Sequence, residues 1–192
     1  MWDFEPRRIL VGIENADCGS ALTYSARESR LRGCGVHLVH VVPVVVAGPS
    51  APDSLVMVEG ELLDAARKIL GDAATGLERL LGEADLPVST EICHGTVVAT
   101  LIEESAHASL VVLQHRGMGP DGHPPVLSVT TSVAARAQVP VVAVPAGWSE
   151  PAAQTMRIVT VGVGDDRENE HLVGVAAAEA ARLHATLRIV HA

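Results

Sequence analysis

The sequence predicts an α/β protein: an open five-stranded parallel sheet with helices on both faces, followed by a partial β-α-β repeat. Three observations predict it. Short runs rich in Val, Ile and Leu alternate with longer segments of helical periodicity, the layout of a parallel sheet built from crossovers. The stretch from Leu110 to Pro145 holds one whole crossover: an apolar run, a loop with Gly117, Gly119, Gly122 and three prolines, a hydroxyl-led helix start at Ser128, and a second apolar run. Finally, residues 157–191 repeat the strand-helix-strand pattern with which the chain begins.

Each element has its own signal. Arg8 to Glu14 is an apolar run flanked by charge and reads as the first strand, with Asn15 to Ser20 turning the chain. A helix follows from about Gly19 to Gly33, with Ala21, Leu22, Ser25, Ala26 and Leu31 near helical spacing, arginines opposite, and Gly33 and Gly35 as its stop. Val36 to Val42 is the second strand and Pro43 to Pro52 a loop. A long helix from about Ser54 to Gly82 carries an apolar stripe from Leu62 to Leu81. Pro87 to Cys93 alternates Val88, Thr90 and Ile92 and reads as a half-exposed third strand. Thr96 to His107 forms a short helix with Val97, Leu101, Ile102 and Ala106 inward. Leu110 to Leu113, entered from Ala108, is the buried fourth strand. A helix runs from Ser128 through about Ala137, and Pro140 to Pro145 is the fifth strand, placed at a sheet edge.

Beyond that strand the composition changes to that of a linker, residues 147–155, which divides a domain of residues 1–146 from a partial repeat of residues 156–192. In the repeat, Arg157 to Val163 matches the first strand, Asn169 to His184 is an alanine-rich helix, and Leu187 to His191 parallels the second strand. A lone unit of this size cannot bury both faces of its strands. It is expected to add to the first sheet, to pair with another chain, or to continue into a longer protein.

Composition excludes several function classes. A formal charge of −9 with no basic run argues against electrostatic binding to nucleic acid or to an anionic membrane. Cys18, Cys34 and Cys93 are odd in number and lack metal-ligand spacing, which fits small buried residues in a reducing compartment. Met1 to Pro6 does not read as a signal peptide, and the longest apolar run, Val36 to Gly48, is short and broken by Pro43. A soluble cytoplasmic protein is expected.

The chemistry-bearing patterns are few. Gly117-Met118-Gly119-Pro120-Asp121-Gly122 satisfies G-x-G-x-x-G but follows the fourth strand and runs into prolines, with no acid about twenty residues later, so a dinucleotide fingerprint is not read there. His37, His40, His94, His115 and His123 include no pair at helical i, i+4 spacing with an acid, so no metal site is assigned. There is no G-x-S-x-G elbow, and Ser128 is explained by helix capping, so no catalytic set emerges and the protein is read as a non-enzyme. Glu14 stands at the carboxyl end of a strand, where open α/β sheets place ligands.

The segments ILVGIENAD, RESRLRGCGVHLVHVV, HGTVVATLIEESAHASLVVLQHRG and LSVTTSVAARAQVPVVAVP together resemble a universal stress protein domain, a type often present in two tandem copies. The resemblance covers residues 7–145 in order and recurs over 156–191. It implies a five-stranded parallel sheet and, in ATP-binding members, a signature of glycine, two residues, glycine, nine residues, glycine and a hydroxyl. Laid on this chain, those positions fall on Gln114, Gly117, Leu127 and Ser128, followed by Val129. The family's adenine-contacting aspartate falls on Glu14, and its backbone contact after the second strand on Val41. Gln114 and Leu127 thus add side chains where bare backbone would approach phosphate. Pro120, Pro124 and Pro125 remove three amide donors from the loop. The function implied is a regulatory module in stress response that acts through homodimerisation, pairing with a second domain or partner contacts, with weakened or lost ATP binding and no certain cofactor. The alternative is an ATP-binding switch holding the nucleotide through Glu14, Val41, Gly117, Ser128 and Val129.

Overall fold

The computed structural model of the chain describes residues 8–44, 52–115, 128–152, 156–164 and 169–191, with 52–58 as backbone only. The chain forms two compact units, Met1–Glu150 and Pro151–Ala192. In the first, β1 (Arg8–Gly12), α1 (Gly19–Arg32), β2 (Val36–Val42), α2 (Pro52–Leu81), β3 (Val88–His94), α3 (Val97–Ser105), β4 (Ala108–His115), α4 (Val129–Ala134) and β5 (Val141–Pro145) follow one another. The five strands form one parallel sheet in the order β3-β2-β1-β4-β5. β5 is therefore an edge, as the sequence predicts, and β1 lies at the centre.

The middles of β1 and β4, Ile9 to Val11 and Leu110 to Leu113, are apolar runs because both of their faces are covered. Ile9 and Val11 point into a core shared with Leu38, Leu110, Val112 and the helix residues Ala21, Leu22, Leu70 and Leu77. Leu10, one residue out of phase, points the other way to Val39, Val111, Leu113, Leu101 and Val133. β3, at the opposite edge, is half-buried at Val88, Ile92 and Cys93 and exposed at its other positions. The strand is half-exposed, as its sequence suggests, but the alternation does not hold through Thr90, which is exposed, or Cys93, which is half-buried.

Several details differ from the sequence reading. β4 runs on to His115, because Gln114 and His115 pair with Val144 and Pro145 of β5. Helix α4 is shorter than expected, since Ala135 to Ala137 close as hydrogen-bonded turns onto Thr131 and Val133. In α1, Leu31 is half-exposed while Glu28 is fully buried. The buried stripe is carried by Ala21, Leu22, Ser25, Ala26 and Ser29, and at about 100° per residue Leu31 falls roughly 140° from its centre.

Helix α1 ends on Gly33 in the left-handed conformation, φ 62°, with its N–H donated to the carbonyl of Ser29. Ser29 Oγ then donates to the Cys34 carbonyl at 2.5 Å, and the chain turns at once into β2. Gly33→Ala forces a Cβ into that conformation, and a loss of about 1–2 kcal/mol of unfolding free energy is expected in urea denaturation.

In the second unit, β6 (Ile158–Val163) and β7 (Thr186–His191) pair in parallel, joined by α5 (Asn169–Arg182). Ala176 and Ala180 are buried, whereas Ile158, Ile189, Val190, Leu172 and Val175 stay largely exposed. Among the described residues no helix is long and apolar enough to cross a membrane.

Candidate functional site

β2 and β4 flank β1 on opposite sides, so the chain turns one way after β1 and the other way after β3. At this switch point the loops leaving the strands diverge and leave a crevice. A cleft of about 180 Å³ lies there, at the carboxyl ends of β1, β2 and β4, with α3 and α4 as its other wall. Gly12 to Glu14 come from β1 and the turn after it, Val39 to Val41 from β2, Leu113 and Gln114 from β4, Val97 and Leu101 from α3, and Val129 and Thr130 from α4. The lining is mostly aliphatic, with polar groups confined to the rim.

Small size at Gly12 makes the cleft. A Cβ on this residue would stand 2.6 Å from Leu113 Cδ2 and 3.3 Å from Leu101 Cδ2, so any side chain there would push both leucines. The rim is held by backbone acceptors. His40 Nδ1 bonds the carbonyl of Ile13 at 2.8 Å, and Ile13 donates its N–H to the carbonyl of Val39 at 2.8 Å, which ties the turn after β1 to β2. On the other side, Gln114 Nε2 donates to the carbonyl of Asp17 at 2.5 Å while its Oε1 accepts from the N–H of Ala21 at 3.3 Å. The side chain that stands in for the signature's first glycine is therefore engaged with the entry to α1. Cys18, beside it, is buried, and burial pushes its thiol above the usual value, so it is a poor nucleophile at neutral pH.

Glu14, Val41 and Val129, three of the five residues singled out from the sequence, line this cleft together. Ser128 borders them, and its Oγ accepts the N–H of Thr131 at 3.0 Å as the cap of α4. Gly117 and Leu127 lie outside the described residues. Sequence reasoning missed Gly12, Leu101 and Leu113, the floor of the cleft. The available signal was Gly12 itself, since a glycine inside an apolar strand marks a close approach.

An all-parallel sheet in this order, with its cleft at the switch point, defines an open doubly wound α/β module. The chain belongs to the universal stress protein family, whose family model matches residues 5–145. A universal stress protein of Mycolicibacterium smegmatis is 34% identical over 187 residues, which cover 95% of this chain and 63% of that relative. The chain thus spans 63% of the length of this relative. A universal stress protein from Archaeoglobus fulgidus shares the fold with a TM-score of 0.66 at 15% identity, over 95% of this chain and 65% of that one. A universal stress protein solved in complex with cAMP has a TM-score of 0.56 at 16% identity, over 74% of this chain and 99% of that one. At these identities the two structures speak for the fold.

Proposed function

We propose that this chain is a regulatory module of the stress response that works by binding rather than by catalysis, and that its cleft takes the adenosine end of an adenine nucleotide. The observation that carries this reading is the open aliphatic cleft between Glu14, Val41 and Val129. Gln114, whose bulk argued against a nucleotide, is held by Asp17 and Ala21 at the cleft's edge. The cAMP bound to a relative of the same fold is in keeping with an adenine ligand.

Size and charge favour the base over the phosphates. At about 180 Å³ the cleft is smaller than the roughly 300–1,000 Å³ of ordinary ligand pockets, which suits a purine between valines rather than a whole triphosphate. Glu14 and Asp17 place carboxylates at the rim, where they can accept from an exocyclic amine or a ribose hydroxyl and would repel phosphate.

Thermal unfolding in the presence of adenosine, AMP and ATP tests this. A ligand bound only by the folded state at about a hundred times its Kd stabilises by about 2.7 kcal/mol. For a domain of this size that is a rise of roughly 5–10 °C. Adenosine is expected to raise the melting temperature at least as much as ATP. A flat response to all three at millimolar concentration removes the ligand reading. The module would then act through protein contacts alone, for which the apolar edge strand β5, free on its outer side within the five-stranded sheet, is the natural surface for a homodimer or a second domain.

A further inference from the structure

We propose that His37, Glu91 and Glu104 form a binding site for a divalent transition-metal ion of the zinc type, at the end of the sheet opposite the cleft. His37 is the second residue of β2 and Glu91 lies on β3, while Glu104 ends α3, which returns towards the amino ends of the strands. Their nitrogen and carboxylate oxygens all lie within 4.8 Å of one another. Acidic clusters are common on surfaces, so the imidazole is what distinguishes this one. His37 is 3% exposed, and its buried Nε2 has no hydrogen-bond partner.

That nitrogen is aimed at the carboxylates. Glu91 Oε2 lies 3.3 Å away. For metal–ligand bonds of about 2.0–2.1 Å, the edge of a tetrahedron between two ligand atoms is also about 3.3 Å. The other ring nitrogen is held in the way metal-binding imidazoles usually are: Nδ1 contacts Ser89 Oγ at 2.8 Å. With the proton on Nδ1 and donated to Ser89, the Nε2 lone pair confronts the lone pairs of Glu91, an arrangement that calls for a cation between them. One nitrogen and two carboxylate oxygens, with the remaining position open to water, suit zinc or cobalt better than calcium or magnesium, which prefer all-oxygen shells.

Arg8 is the built-in competitor. Its Nη2 stands 3.7 Å from Glu104 Oε2 on a partly exposed side chain, so it neutralises the site when no ion is bound and can swing to solvent when one is. A metal ion here would join β2, β3 and α3.

The test uses the full chain stripped with chelator, titrated with Zn²⁺ by calorimetry and with Co²⁺ by visible absorption. One ion per chain is expected, with a cobalt spectrum of the intense, low-symmetry type. Glu91 is half-exposed, so Glu91→Gln should fold normally, and it is expected to weaken binding by more than the 10- to 100-fold typical of losing a supporting partner. Ser89→Ala should weaken it by about 10- to 100-fold, and Arg8→Gln should tighten it. No saturable binding, or binding that Glu91→Gln and Glu104→Gln leave unchanged, would overturn the proposal, the latter by placing the ion on other histidines or cysteines.

Discussion

Replacing Arg27 and Arg32 together by alanine is expected to lower the unfolding free energy by about 3–5 kcal/mol, the usual consequence of removing the partners of a buried charge. Glu28 has no exposed surface, and its two oxygens are approached separately, Oε1 by Arg27 Nη1 at 3.3 Å and Oε2 by Arg32 Nε at 3.0 Å. Arg27 also reaches Glu150 Oε1 at 3.3 Å, and one turn earlier the ring of Tyr24 meets Trp148 edge-on at 5.4 Å. The pair of arginines therefore neutralises a buried carboxylate and fastens the end of the first unit to α1. Urea denaturation followed by circular dichroism measures the loss. Adding Glu28→Leu to the double variant should recover part of it, because a buried apolar side chain needs no counter-charge. A double variant within about 1 kcal/mol of the parent would mean that the carboxylate does not depend on these two arginines, and would remove the ion-pair account of this helix.

Glu28 also shows where reading by pattern stops. The buried strands were legible because parallel sheets covered on both faces favour near-continuous apolar runs, as in Ile9-Leu10-Val11 and Leu110 to Leu113. The family resemblance brought out Glu14, Val41 and Val129, and these three do share a cleft. Side-chain direction is what the sequence does not carry. Leu31 looked inward by spacing and is half-exposed, while the charged Glu28 is buried, because the packing of α2 and Trp148 against α1 sets the stripe. Gln114 looked like an obstruction and instead bonds to the turn after β1. The ligands proposed for the metal come from β2, β3 and α3 at spacings that match no local motif; only the sheet order brings them together.

Gly12→Val is expected to abolish the thermal response to adenosine and to cost about 1–3 kcal/mol, the range for overpacking a filled site. Gly12 is paired on both sides, to Val39 in β2 and Leu113 in β4, so the backbone cannot retreat. The strain must fall on side chains. The first atom an added Cβ meets is the tip of Leu113, at 2.6 Å, and the next are the two tips of Leu101, at 3.3 and 3.4 Å. All three residues line the cleft, so when these leucines yield they have room to move only into the space proposed for the purine. Gly12→Ala separates the two effects. Its single methyl displaces a flexible leucine tip at little cost to stability, yet still crowds the cleft, so it is expected to melt close to the parent and to lose most of the adenosine response. If Gly12→Ala melts normally and responds to adenosine as the parent does, the cleft floor is not where the ligand sits. Binding would then have to be sought along the residues that follow His115.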